Sequence, residues 1–216
     1  MTAQLWLSKM LFDVLRTIDS QTHSLAKARI LEVGCGGGRW TRFIAEVTHK
    51  PELITGIDLS APTIELAKRM NPAITYRVAD LVEEPIGAVY DLILAWGVFL
   101  HFPSESTVKK ALRNISNSLT KDGLFIFFDA WARSHFNPPV DAESWGFNPE
   151  EIIRMAASEG LTPTFRKNVY RLFPGRKHSE QYYGIIPSWL VRACEIISPT
   201  PPGNYFVVFG REREEK

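Results

Sequence analysis

Two periods run through the apolar and polar positions of this chain, and the changes from one to the other mark out its elements. Leu7, Met10, Leu11, Val14, Leu15 and Ile18 recur at helical spacing while Lys9, Asp13, Arg16 and Asp19 fall mostly elsewhere, which predicts an amphipathic helix from residue 3 to about 20. Ile30, Leu31 and Val33 then form a short branched run of the kind that makes a buried parallel strand. Trp40, Phe43, Ile44 and Val47 continue as a helix that stops before Pro51, and residues 53–58 read as a second strand. Ser60 supplies a helix cap ahead of Pro62. Residues 74–79 and the near-continuous apolar run 89–96 predict a third and a fourth, central strand. Val108, Ala111, Leu112, Ile115 and Leu119 make one helical face that ends at an Asp122-Gly123 turn, with residues 124–129 as the fifth strand. Asn148-Pro149-Glu150-Glu151 opens a helix that runs to Glu159-Gly160. Residues 161–172 and 205–209 predict the last two strands, with a helical stretch at 187–197 between them and a charged, disordered tail from Arg211.

Strands alternating with helices make an α/β chain, and 216 residues suffice for one such domain but not for two with linkers. A single domain over 1–216 is expected, with 1–27 as an N-terminal helical cap that packs on the sheet or lies over the cleft as a lid. Composition is ordinary for a globular protein, at 45% hydrophobic and 23% charged, and no apolar run approaches a membrane span. The first residues lack a basic segment followed by a signal-type core, so a cytoplasmic location is expected. Cys35 and Cys194 form neither a disulfide framework nor a metal-ligand spacing, and no metal is expected. A formal net charge of +1 offers no case for nucleic-acid binding.

The candidate chemistry begins where the first strand meets a glycine-rich turn, Glu32-Val33-Gly34-Cys35-Gly36-Gly37-Gly38. Gly34 and Gly36 let the backbone turn tightly and stay open to a ligand, and the helix that starts near Gly38 aims free N–H groups there. The dinucleotide fingerprint G-x-G-x-x-G fails, because Arg39 stands where its last glycine belongs. Glu32, two residues ahead of the first glycine, repels a pyrophosphate but suits S-adenosylmethionine (SAM), which carries an ammonium and a sulfonium and no phosphate. Asp58 ends the second strand, where a carboxylate accepts from both hydroxyls of a ribose.

The segment resembles motif I of the class I SAM-dependent methyltransferases of small-molecule type, and the resemblance covers roughly residues 28 to 172 plus the final strand. It implies an α/β, Rossmann-like seven-stranded sheet with helices on both faces and an antiparallel last strand. It implies cofactor contacts at Glu32, Gly34, Cys35, Gly36, Asp58 and Leu59. Asp80 and Leu81 would meet the adenine, unless Asp80 is a surface turn acid, and the Ala95 carbonyl would meet the methionine ammonium. SAM as cofactor, with S-adenosylhomocysteine (SAH) as its product, follows from the same resemblance. Gly97 to Pro103 is similar to the way small-molecule methyltransferases leave the fourth strand. The Asn/Asp-Pro-Pro-aromatic signature of DNA-adenine and protein-glutamine methyltransferases is missing there, and Asn137-Pro138-Pro139-Val140 lies after the fifth strand and lacks the aromatic.

His101 either takes a proton from the acceptor as a general base or only packs at a helix start, and His135 and Asp129 are the alternative bases. Segments 130–147 and 173–204 are expected to cover the substrate, offering Trp131, His135, Trp145, Tyr182 and Tyr183 to it. Arg166, Lys167, Arg171, Arg176 and Lys177 bias that half toward positive charge, which fits either an anionic substrate group or a solvated strand face. The expected activity is methyl transfer to oxygen or nitrogen, less readily carbon, of a small, partly apolar or aromatic metabolite, by a monomer or homodimer without nucleic-acid or membrane partners. A non-catalytic SAM- or SAH-binding partner or sensor is the alternative, and an aminopropyltransferase stands lower, since the segment after the fourth strand lacks paired acids.

Overall fold

A computed structural model describes residues 3–21, 24–131, 136, 146–169 and 204–211. In chain order the elements are α1 (Ala3–Gln21), β1 (Ile30–Val33), α2 (Arg39–Thr48), β2 (Ile54–Asp58), α3 (Ala61–Met70), β3 (Thr75–Val78), β4 (Tyr90–Trp96), α4 (Glu105–Asn117), β5 (Leu119–Ala130), α5 (Pro149–Ala157), β6 (Leu161–Val169) and β7 (Asn204–Arg211). The sheet has seven strands in the order β3-β2-β1-β4-β5-β7-β6. The first five are parallel to their neighbours, and β7 runs antiparallel to both β5 and β6. Strand order reverses between β1 and β4, and a crevice opens at such a point beyond the carboxyl ends of the strands.

Period-two alternation sends successive residues of one strand to opposite faces. In β4, Leu92 and Leu94 join the buried faces of α1, α2 and α3, whereas Ile93 and Ala95 join α4 and α5. Met10, Leu11, Val14, Leu15 and Ile18 put the apolar stripe of α1 into the first of these cores, against the sheet. Phe125, Phe127 and Phe209 are wholly buried in the second, and each such side chain contributes roughly 1.5–3 kcal/mol. Trp96 stacks on Phe128 with centroids 3.9 Å apart and lies 4.1 Å from the ring of Trp40, which ties the start of α2 to the centre of the sheet.

Local signals set most boundaries. The Ser104 hydroxyl accepts from Thr107 N at 3.2 Å and starts α4, and Asn148 with Glu151 forms the full capping box of α5. Most boundaries shift from the sequence reading by a residue or two, Arg211 ends β7 instead of opening a disordered tail, and the largest change lies between α4 and β5. Helix α4 ends at Asn117, and Leu119 together with the Asp122-Gly123 pair belongs to β5. Leu119 pairs with Tyr90 and Leu124 with Leu92, so extra residues bulge from β5, and the Thr120 hydroxyl fastens the bulge to Asp91 at 3.2 Å. Pro163 sits within β6 next to a register shift, which an edge strand tolerates because proline has no amide to donate.

Candidate functional site

Gly34, Gly36 and Gly38 take left-handed φ of 66°, 51° and 74°, so the turn after β1 folds back on itself. Close approach explains the first of them: a Cβ on Gly34 would lie 2.4 Å from Val98 Cγ2, on the segment that leaves β4. Open space explains the second, since a Cβ on Gly36 would meet nothing within 4 Å. Cys35 N donates to Ile57 O at 3.0 Å and seats the turn on β2. Burial pushes the Cys35 thiol far above its usual range, with Glu32 and Asp58 adding to it, so this cysteine packs as an inert thiol.

Asp58 holds the turn from the side. Its Oδ2 accepts from Gly36 N at 2.8 Å and its Oδ1 from Ser60 N at 2.9 Å. Ser60 occupies the cap position of α3 but its side chain makes no capping bond, a correction to the sequence reading. The acid serves the turn that the serine was expected to close, and each carboxylate oxygen keeps a further lone pair.

Glu32 is only 1% exposed and lies beneath α2. It lies beside Thr41, in the first turn of a helix whose cap residue, Gly38, has no side chain to offer its first amides. Burial pushes its carboxyl well above the usual range, its neighbours Thr41 and Arg42 pull it down, and Asp58 pushes it up. Its Oε2 is buried without a hydrogen-bond partner among the described residues.

A cavity of about 550 Å³ opens beyond the ends of β1, β2 and β3, bounded on the other side by the segment after β4. Gly34, Asp58, Leu59, Asp80, Leu81 and His101 all reach its wall, whereas Glu32, Cys35, Gly36 and Ala95 stand behind or beside it. Three carboxylates, Asp58, Asp80 and Glu83, face it, and its described lining holds no lysine or arginine. Leu59 is 65% exposed, an apolar side chain left free at the mouth. Asp80 caps its own turn, accepting from Val82 N at 2.7 Å and Glu83 N at 3.3 Å. Val98, Phe102 and Thr107 complete the wall, and Asn114 donates to Leu81 O at 2.8 Å from α4. The sequence reading singled out the segment that holds Val98 and Phe102 but gave neither a role, and it passed over the place of Thr107 and Asn114. Nothing local marks these two, since each reaches the site through a pairing of distant elements.

Ala95 is buried in the ladder between Val33 and Phe127. Beyond it, Phe99–His101 forms a single 3-10 turn whose Phe99 is buried and whose His101 is exposed at the cavity wall. Asp129 lies behind that turn, 1% exposed and off the wall. Its Oδ2 accepts from Leu100 N at 3.0 Å and its Oδ1 from Ala130 N at 2.8 Å, while burial pushes its carboxyl up to about 7. Trp131 bridges to Phe147, which joins the two ends of the 130–147 segment. His135, Trp145, Tyr182 and Tyr183 lie outside the described residues, as does all of 173–204 except Asn204. Among the described residues, no cluster of His, Cys, Asp or Glu could hold a metal ion, and no helix is long and apolar enough to cross a membrane.

Residues 30–123 match the family model of a methyltransferase domain. The ubiquinone biosynthesis O-methyltransferase of Bordetella avium is 29% identical over 196 residues, covering 88% of this chain and 69% of that one. The malonyl-[acyl-carrier protein] O-methyltransferase of Bacillus anthracis is 30% identical over 121 residues, covering 55% of this chain, and that match spans only 44% of the relative's length. Among solved structures, the N-methyltransferase NodS of Bradyrhizobium japonicum in complex with SAH has the same fold. Its TM-score is 0.62 at 18% identity, over 95% of this chain and 87% of that one.

Proposed function

We propose that this chain, whose residues 30–123 match a methyltransferase domain, is a class I SAM-dependent methyltransferase and moves the methyl group of SAM to an oxygen or nitrogen, less readily a carbon, of a small, partly apolar or aromatic metabolite. One observation carries the reading: the cavity at the switch point presents three carboxylates and, among its described residues, no lysine or arginine. A phosphate-bearing cofactor would be repelled there, whereas a ligand with two cationic centres is attracted. The unpartnered buried Oε2 of Glu32 and the open space at Gly36 fit the same ligand.

The proposed division of labour follows from chemistry. Asp58, with spare lone pairs on both oxygens, accepts from the ribose hydroxyls, and Leu59 packs beside them. Asp80 accepts from the adenine amine, with the Leu81 backbone next to it. Gly34, Cys35 and Gly36 give the turn its open backbone, Ala95 offers its carbonyl to the ammonium, and Glu32 supplies negative charge from beneath. When bound, SAM supplies an activated methyl group on sulfur, and what remains for the protein is to hold the acceptor in line and keep water out. His101, at the wall, is the proposed proton acceptor for an oxygen nucleophile. Asp129 is withdrawn as the alternative, because its carboxylate is buried and held by two amides.

The Bordetella relative, named for O-methylation, and the Bradyrhizobium neighbour, named for N-methylation, support a small-molecule acceptor without choosing between the two atoms. Trp131, His135, Trp145, Tyr182 and Tyr183 remain the proposed acceptor wall. Net charge near zero supports a free metabolite over nucleic acid, and the buried free thiol of Cys35 suits the cytoplasm, with the chain acting as monomer or homodimer. The test is a calorimetric titration with SAH beside NADH, followed by acceptor screening with labelled SAM. Micromolar binding of SAH alone is expected, and tighter binding of NADH overturns the reading. Turnover of an identified acceptor by the His101→Ala variant with an unchanged pH profile removes the base assignment.

A further inference from the structure

Four consecutive residues after β3, Asp80 to Glu83, line the cavity, and the loop that carries them is closed by its own bonds. Asp80 Oδ1 accepts from Val82 N at 2.7 Å and Glu83 N at 3.3 Å, and Asp80 O accepts from Glu84 N at 3.0 Å. Those bonds give the loop its shape. Its polar attachment to the neighbouring helix comes from Asn114 of α4, whose Nδ2 donates to Leu81 O at 2.8 Å, Glu84 O at 3.3 Å and Val82 O at 3.4 Å. Three converging carbonyls fix which way the amide faces, since only its nitrogen can donate to them. The ion pair of Lys110 with Glu83 joins the same two elements at 3.1 Å, but both side chains are more than half exposed, and such a pair is worth little.

The two sets of bonds meet on the same peptide groups. A trans peptide points its C=O and its N–H to opposite sides. The peptide between Leu81 and Val82 therefore takes Asn114 Nδ2 on its oxygen and gives its N–H to Asp80 Oδ1. The next peptide does the same with longer bonds, through Val82 O and Glu83 N. Two parallel links thus run from the amide of Asn114, across the loop backbone, to one oxygen of the Asp80 carboxylate. Bonds polarise one another along such links, so a donor on the carbonyl makes the N–H on the far side a better donor. The buried Leu81 side chain also holds the loop down, but apolar packing is non-directional and does not set which way a carboxylate turns. The described residues place no donor on Asp80 Oδ2.

We infer that Asn114 is a positioning residue that makes the cavity selective for a 6-aminopurine, by fixing Oδ1 of Asp80 so that Oδ2 is left to accept from the exocyclic amine. The inference rests on the proposed SAM site and adds to it a side chain that stands off the cavity wall. A carboxylate only accepts, and a 6-oxopurine puts an acceptor where the 6-aminopurine puts a donor. A carboxylate held in place separates the two bases. One free to turn can follow the ring N–H of the 6-oxo base instead, and the distinction is lost.

The experiment titrates the full chain and the variants Asn114→Ala and Asn114→Asp with two ligands, SAH and S-inosylhomocysteine, which share the ribose and the homocysteine and differ in the base. Thermal melting is followed in the same samples. The parent is expected to prefer SAH by about tenfold or more, the worth of a hydrogen bond to a charged group. Asn114→Ala is expected to lose most of that preference, binding SAH about tenfold more weakly and S-inosylhomocysteine within about twofold of the parent. Asn114→Asp keeps the shape but turns an acceptor toward three carbonyls, and it is expected to lose the preference as well. Should one variant not fold, the other decides alone. A variant that weakens both ligands by the same factor, or leaves both unchanged, overturns the inference by reducing Asn114 to a fold contact. A parent that binds SAH no better than S-inosylhomocysteine overturns the inference and leaves the SAM reading standing, whereas a parent that binds neither overturns both.

Discussion

The carboxylate of Asp58 accepts the backbone amide of Gly36 at 2.8 Å, so the residue that ends β2 holds the turn that leaves β1. Its other oxygen accepts Ser60 N, and one side chain thereby anchors two loops at the mouth of the cavity. Replacing it removes anchor and ligand acceptor together. Asp58→Ala is expected to weaken SAH binding by about 10–100-fold, the worth of one or two hydrogen bonds to a charged group. Asp58→Asn, which keeps one acceptor, falls between that variant and the parent in the same calorimetric titration. Equal affinity in all three proteins would refute the ribose role.

Gly34 and Gly36 share a left-handed backbone but not their surroundings, and the two alanine variants are expected to fail differently. At Gly34 the added methyl collides with the branched side chain of Val98 on top of the backbone strain. Gly34→Ala is expected to lose about 2–4 kcal/mol of stability in urea unfolding, by overpacking plus strain. Val98→Ala in the same chain is expected to restore part of it. At Gly36 the methyl points into open space, so strain alone costs about 1–2 kcal/mol while SAH affinity falls by far more. A Gly36→Ala variant with parental affinity would show that nothing binds over this turn.

Much of this site was legible from local sequence, and the particular residues show why. Ile30 to Val33, the glycines behind them, Asp58 and Asp80 announce themselves by strand period and turn chemistry, which act over a few neighbours. The place of Glu32 was not legible. Read along the chain it stands at the mouth of a strand, yet it is buried beside the first turn of α2 and off the cavity wall. Thr41 and Tyr76 carry no local mark, and they meet only because β3 pairs beside β2. Asn114 reaches the carbonyl of Leu81 from a helix 33 residues away in sequence. The start of β5 was misplaced for the same kind of reason, since pairing of Leu119 with Tyr90 overrode a helical period.

Tyr205 lies opposite Asp129 in the antiparallel pair of β5 and β7, wholly buried, with a hydroxyl that has no hydrogen-bond partner among the described residues. Burial pushes its phenol well above the usual range, and neighbouring Asp129 adds to it. A buried hydroxyl without a partner costs about 1–3 kcal/mol, so Tyr205→Phe is expected to stabilise the fold. A gain of about 1 kcal/mol corresponds to roughly 2–4 °C in melting temperature for a chain of this size. A melting temperature that falls instead would mean that the hydroxyl is bonded in solution.

Asp129 makes stability depend on pH in a direction opposite to that of an ordinary salt-bridged acid. Burial pushes its carboxyl up to about 7 from a usual 3.8, against the pull of the Ala130 and Leu100 amides. Between these values the folded chain binds a proton that the unfolded chain has lost, so stability falls as pH rises, by up to about 1.4 kcal/mol per pH unit. The contribution is fully present below about pH 4, lost as pH passes about 7, and constant above that. Glu32, also raised, carries the same sign, so the parent curve alone does not isolate Asp129. Asp129→Asn cannot ionise and keeps one oxygen for an amide. The stability of the parent minus that of the variant, from urea unfolding at a series of pH values, is expected to decline across this window and then level. Parallel curves would mean that the carboxylate is ionised throughout. Because the same carboxylate holds Leu100 N, the 3-10 turn that presents His101 is expected to respond to pH through Asp129.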